Sequence, residues 1–187
     1  MKPAERIILA ITGATGMLYL EPLLALLGER KVTVHAVISD AGRQVLRLEL
    51  GKQPEDLPNI ERWFACDDFT APMASGSSLY DAMIILPCTT GTLGAIAAGY
   101  SGNLIHRAAD VSLKERRPLL LAVRETPFNR THLTNMLRLH EAGAIIFPPM
   151  PSFYQKPRDL EEMARNFAGR LCDQIGIHIS GLKRWGS

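Results

Sequence analysis

Cysteine is scarce in this sequence. Cys66, Cys88 and Cys172 lie far apart in 187 residues and no CxxC occurs, which argues against a disulfide framework or a zinc site. An excess of charge of one sign is also missing. The 21 basic and 19 acidic residues leave a net charge of +2, so no basic field favours nucleic acid. No apolar run reaches the ~18 residues of a membrane span. The first one, Ile7 to Ile11, is too short and too strand-like for a secretory signal. These absences predict a cytoplasmic protein with no nucleic-acid and no membrane partner. Aromatics are only 6 % of the chain, but hydrophobic residues reach 47 % and charged residues stop at 21 %, a balance that excludes disorder. A chain of this length forms one domain, 1–187, and can bury about 70 % of its unfolded surface.

Strand and helix signals alternate from end to end. The continuous apolar run from Arg6 to Thr12, stopped by Gly13, suits a strand buried on both faces. Leu20, Leu23, Leu24 and Leu27 then recur at helical spacing within Met17 to Leu27. Val32 to Ser39 reads as a strand and Ala41 to Leu50 as a helix. The stretch 51–80 is irregular, with a short strand near Trp63 to Cys66. Ala82 to Leu86 is a buried strand that Pro87 should stop. Helices follow at Thr92 to Ala98 and Ile105 to Arg116, then a strand at Leu119 to Val123. A helix at His132 to Glu141, a strand at Ala144 to Phe147 and a helix to Ile175 capped by Asp159 complete the pattern. This predicts a Rossmann-like, three-layer α/β/α fold around a mainly parallel sheet of five or six strands. Such sheets bind ligands beyond the carboxyl ends of their strands.

The polar chemistry sits at those ends. Thr12-Gly13-Ala14-Thr15-Gly16 follows the first strand. It is either a plain tight turn or one whose N–H groups approach an anion; it is neither a full GxGxxG nor a P-loop. Ser39 caps the next helix. Glu49, near that helix's end, opposes the helix dipole and wants a partner unless it is merely solvated. Thr89, Thr90, Gly91 and Thr92 gather hydroxyls and free N–H groups at a helix start, a phosphate or flavin-ribityl cradle. Cys88 beside them lacks an activating base and reads as packing. Arg107 and Lys114 share one helix face and could grip an anion. Arg124 and Glu125, adjacent after a strand, point apart and need separate partners. The proline-stiffened loop Pro148 to Tyr154 presents an aromatic pair.

Taken together, these strings resemble the UbiX-type flavin prenyltransferases. The resemblance rests on Ile11 to Gly16, Ala74-Ser75-Gly76-Ser77, Pro87 to Leu93, Arg107 to Val111, Leu113 to Arg117, Arg124-Glu125-Thr126-Pro127 and Pro151-Ser152-Phe153-Tyr154, in family order along nearly the whole chain. It implies a metal-independent enzyme that joins reduced FMN to dimethylallyl phosphate at flavin N5 and C6. The product, prenylated FMN, serves a UbiD-type decarboxylase. By resemblance, Gly13, Ala14, Thr15, Ser39, Thr89, Thr90, Gly91, Thr92 and Arg124 fall on FMN contacts. Tyr154, Arg170, Ser75 and Gly76 fall on prenyl-donor contacts. Glu49, Arg107, Lys114 and Glu125 fall on the polar groups around the phosphate and reacting flavin, with Glu125 the proton carrier. The family also implies a homododecamer whose sites are completed by neighbouring subunits. Thr15 and Thr89 stand where the family usually has serine, Thr90-Gly91 where it often has Met-Lys, and Leu20-Glu21-Pro22 where a glycine-containing start is usual. Two other readings are an FMN-dependent cysteine decarboxylase of the same group, whose first-helix histidine is missing here, and a non-catalytic FMN carrier.

Overall fold

A computed structural model describes residues 2–182 and 184–186. Its six strands are β1 (Arg6–Ile11), β2 (Thr33–Ile38), β3 (Arg62–Phe64), β4 (Ala82–Cys88), β5 (Leu119–Val123) and β6 (Ile145–Ile146). They form one sheet in the order β3-β2-β1-β4-β5-β6, and every pairing is parallel. Parallel neighbours require crossovers, which the helices supply: α1 (Leu20–Glu29), α2 (Asp40–Leu50), α3 (Thr90–Ala97), α4 (Leu104–Lys114), α5 (Arg130–Glu141) and α6 (Leu160–Gln174).

The alternation of side chains divides the core in two. Ile7, Leu9 and Ile11 of β1 pack with α1, α2 and α6 on one face. Ile8 and Ala10 pack with α3, α4 and α5 on the other. The result is the three-layer α/β/α arrangement that the sequence predicts. The order reverses between β1 and β4, so the carboxyl ends of these central strands form the crevice where such folds bind ligands.

Strand boundaries depart from expectation most informatively at β4 and β6. Pro87 does not end β4, which continues to Cys88 with a register irregularity between Ile85 and Cys88. Ala82, Ile84 and Leu86 face one layer, Met83 and Ile85 the other. Cys88 falls in the same layer as Ile85, so the irregularity switches which face the strand's end presents. Proline, lacking an N–H, is tolerated where the ladder is already interrupted. At the far edge, β6 is only two residues long, because Pro148-Pro149 cannot extend the ladder. Helix signals were better placed. Asp159 accepts from Glu162 N at 2.7 Å and caps α6. The first helical segment is split into a 3-10 turn at Met17–Tyr19 followed by α1.

Candidate functional site

Two turns meet at the carboxyl ends of β1 and β4, and one side chain ties them. The buried Thr12 hydroxyl donates to Pro87 O at 2.8 Å and accepts from Thr89 N at 2.9 Å. Thr89 in turn caps α3. Its Oγ1 accepts from Thr92 N at 3.1 Å and donates to Thr92 Oγ1 at 3.0 Å. The first-turn N–H groups of Thr90 and Gly91 have no acceptor within the helix. They point the positive end of α3 out of the rim beside the hydroxyl-bearing turn.

The β1 turn is packed as well as polar. A Cβ on Gly13 would lie 2.4 Å from Ala41 Cβ, so only glycine lets this turn rest on the start of α2. Ser39 caps α2 as expected, its Oγ accepting from Gly42 N at 3.1 Å. Gly16 has φ 114°, a conformation that side chains disfavour. Glu49 has the partner its position demands. Its carboxylate accepts from Gly16 N at 3.0 Å and Met17 N at 2.9 Å, so the end of α2 holds the end of the glycine turn. Arg124 anchors through its backbone, its N donating to Cys88 O at 3.0 Å, and its side chain is exposed. Glu125 accepts from Thr126 N at 3.0 Å. The structure therefore brings Gly13, Ala14, Thr15, Ser39, Glu49, Thr89 to Thr92, Arg124 and Glu125 to one rim. Cys88 is fully buried, and burial pushes its thiol up to about 12, in keeping with packing rather than nucleophilic chemistry.

Beyond β6 lies a cavity of about 360 Å³ lined by Phe147, Pro148, Met150, Tyr154, Phe167 and Arg170, among others. Phe167 lies 5.4 Å from the Phe147 ring and 4.6 Å from the Tyr19 ring. Tyr19 closes the 3-10 turn that follows Gly16, so an aromatic bridge links the cradle to this cavity. Tyr154 and Arg170, grouped by the resemblance, both line this cavity.

The remaining candidates do not join them within one chain. Arg107 donates through Nε to Ala74 O at 3.0 Å and through Nη1 to Asp110 at 2.8 Å. Lys114 pairs with Glu115, whose carboxyl the lysine's hydrogen bond and charge hold below the usual range. Ser75 Oγ contacts Ser77 Oγ at 2.9 Å, and a Cβ on Gly76 would collide with the ends of Glu115 and Lys114. These four residues ride on α4 and the segment beside it, against the opposite core layer from Phe167. Lys114 ends α4 just before β5 begins, at the amino ends of the strands. Within one chain, these residues and the cavity of Tyr154 and Arg170 lie on two faces.

Sequence reasoning placed Thr12 at the head of the turn without a role for its hydroxyl, and missed the Tyr19-Phe167-Phe147 bridge and Asp173. Thr12 looks like the last residue of an apolar strand, and only the pairing of β1 with β4 reveals its role. Asn166 Nδ2, one turn before Arg170, is a buried donor with no partner among the described residues. No group of three or more His, Cys, Asp and Glu among them could hold a metal ion. No helix there is long and apolar enough to cross a membrane.

Comparisons with known proteins agree with this fold. The chain matches the Flavoprotein family over residues 1–166. It is 47 % identical over 186 residues to a protein of Methanothermobacter thermautotrophicus named flavin prenyltransferase UbiX, covering 99 % of this chain and 97 % of that one. Among solved structures it resembles AnUbiX, crystallised with FMN and dimethylallyl pyrophosphate, with TM-score 0.95, 38 % identity and 98 % of each chain covered. It also resembles a dodecameric FMN-dependent UbiX-like decarboxylase from Escherichia coli O157:H7, with TM-score 0.92, 37 % identity, and 97 % and 100 % covered.

Proposed function

The chain belongs to the UbiX family of flavin prenyltransferases, and from that premise we propose how its residues divide the work. It joins a dimethylallyl group to reduced FMN at N5 and C6, and we assign the whole of 1–187 to one flavoprotein domain. The observation that carries this reading is the cavity of Tyr154 and Arg170, joined by an aromatic bridge to a cradle of free N–H groups and hydroxyls. It lies within a fold that matches, at TM-score 0.95, a protein crystallised with FMN and dimethylallyl pyrophosphate.

The cradle suits FMN. Thr15 and Thr90 offer hydroxyls to a ribityl chain, and the N–H groups of Thr90 and Gly91 face a phosphate. Arg124, exposed at the β5 end, supplies a cation. Bound reduced FMN contributes the nucleophilic N5 and C6 positions. The protein's part is to bind, orient and neutralise. Phosphate leaving an allylic carbon leaves positive charge behind. The Tyr154 ring shelters that charge, while Arg170, Arg107 and Lys114 neutralise the departing anion. Three fixed cations do this without a metal. The allylic carbon freed of phosphate bonds to N5. Glu125, at the rim and accepting from its neighbour's N–H, carries a proton to the isoprenoid's remaining double bond so that its other end can bond to C6, and recovers one when C6 regains aromaticity. Glu49 holds the glycine turn in place.

Arg107, Lys114, Ser75 and Gly76 lie on the opposite layer from the cavity. They therefore reach a phosphate at Arg170 only across a subunit boundary. A closed homododecamer, as in the Escherichia coli O157:H7 relative, supplies such boundaries. The product goes to a UbiD-type decarboxylase, and we place the enzyme in the cytoplasm. No observation favours cysteine decarboxylation or a carrier role.

The test is anaerobic incubation with reduced FMN, dimethylallyl phosphate and a metal chelator, following inorganic phosphate. Release that requires both substrates and ignores the chelator is expected. No release, or release only with a divalent metal, overturns the reading.

A further inference from the structure

Asp173 meets two arginines and a histidine. It follows Arg170 by three residues on α6, and its side chain is only 7 % exposed. Arg170 Nη1 donates to Oδ2 at 2.8 Å. Arg184 donates through Nη1 to Oδ2 at 2.9 Å and through Nη2 to Oδ1 at 2.8 Å. His178 Nδ1 meets Oδ1 at 3.0 Å. A two-pronged arginine contact of this kind fixes direction as well as distance. Burial pushes the Asp173 carboxyl up, but the hydrogen bonds from Arg184, His178 and Arg170 outweigh it and bring it to about 2.

The chain that follows α6 doubles back over the cavity wall. Leu182 lies so close to Gly169 that a Cβ there would meet its Cδ1 at 2.0 Å. The Trp185 ring stands edge-on to Tyr154, 5.2 Å between centroids and 82° between planes. Arg170 and Tyr154, two walls of one cavity, are thus each held from behind. Asp173 holds the arginine directly, and holds the tyrosine's neighbour through Arg184. An ordinary exposed ion pair would contribute little. Here the carboxylate is buried and its arginines are half exposed, so it orients them more than it neutralises them. Two arginines on one carboxylate leave net positive charge at the wall. One N–H of Arg170 is committed to Asp173, and the other donors of its planar fork are set by that commitment.

We propose that Asp173 is a positioning residue for the prenyl donor: it aims Arg170 into the cavity and, by gripping Arg184, keeps the C-terminal segment against Tyr154. The proposal rests on reading Arg170 and Tyr154 as donor contacts.

Binding separates it from that reading. Calorimetric titration of dimethylallyl phosphate into the oligomer loaded with oxidised FMN measures affinity without turnover. Asp173→Asn should weaken donor binding about tenfold, with FMN affinity unchanged. Arg184→Gln, at an exposed side chain that spares the fold, should weaken it several-fold and shift Trp185 fluorescence. In an Arg170→Ala background, Asp173→Asn should add no more than the several-fold loss that Arg184→Gln causes by itself. Wild-type affinity in both Asp173→Asn and Arg184→Gln overturns the proposal. So does a full tenfold loss persisting in the Arg170→Ala background. If Asp173→Asn does not fold, Arg184→Gln alone decides. Failure of the wild-type protein to bind the donor would instead overturn the parent reading, and the proposal with it.

Discussion

Replacing Thr12 by valine keeps the side chain's shape and removes one oxygen. That oxygen makes two bonds of 2.8 and 2.9 Å, to Pro87 O and from Thr89 N, and Thr12 is 2 % exposed. Pro87 O keeps a partner, because Thr12 N also donates to it at 3.2 Å. Thr89 N has no such substitute. The loss is therefore one ordinary bond plus one stranded donor, about 2–3 kcal/mol in all. That is a large part of the 5–15 kcal/mol typical of a domain. Urea unfolding at fixed subunit concentration, without flavin, should show it as a midpoint lower by about 1 M. Thr12→Ser, which loses only a buried methyl, should cost about 1 kcal/mol. The same tie sets the spacing of the two cradle turns, so Thr12→Val should also weaken FMN by about tenfold, or 1.4 kcal/mol. If the valine variant is as stable as the serine variant and binds FMN equally well, the tie is not what holds the cradle.

Three further outcomes follow from the same geometry. Glu125→Gln keeps the contact with Thr126 N but cannot accept a proton, so stopped-flow measurements should show wild-type FMN binding, phosphate release ahead of product, and slow ring closure. Asp173 is held at about 2 against an ordinary 3.8, so its contribution is complete above pH 3.8 and lost as pH falls through 2. Its exposed partners reduce it to about 1–2 kcal/mol, and Asp173→Asn should flatten that part of the acid unfolding curve. Lys114→Ala and Arg170→Ala subunits, each inactive alone, should recover about a quarter of wild-type activity when mixed and reassembled, because a site shared by two subunits then sometimes draws both intact residues. No recovery would place both residues in a site made by one chain.

The fold was largely legible because its strands are buried on both faces. Runs such as Arg6 to Thr12 and Leu119 to Val123 carry that signature in composition alone, and the carboxyl-end rule then pointed to the cradle before any strand order was known. Caps were legible for a similar reason: Ser39 and Asp159 act within three residues of themselves. What stayed hidden was long-range. The contact of Glu49 with Gly16 spans 33 residues, and that of Thr12 with Thr89 spans 77. Neither has a local trace. Pro87 misled because its usual effect on a central strand is to end it, whereas here the interrupted ladder accommodates it. Arg170 was found only through resemblance, and Asp173 not at all, because an acid three residues from an arginine on a helix reads as an ordinary surface pair until its burial is known.

The central claim is that this rim and cavity attach a prenyl group to flavin. Mass spectrometry of the flavin extracted after anaerobic incubation with reduced FMN and dimethylallyl phosphate tests it most directly. The account predicts FMN heavier by one five-carbon isoprene unit, formed by the wild-type protein and lost with Arg170→Ala. Unmodified FMN after full incubation, from protein shown to bind both compounds, would contradict it.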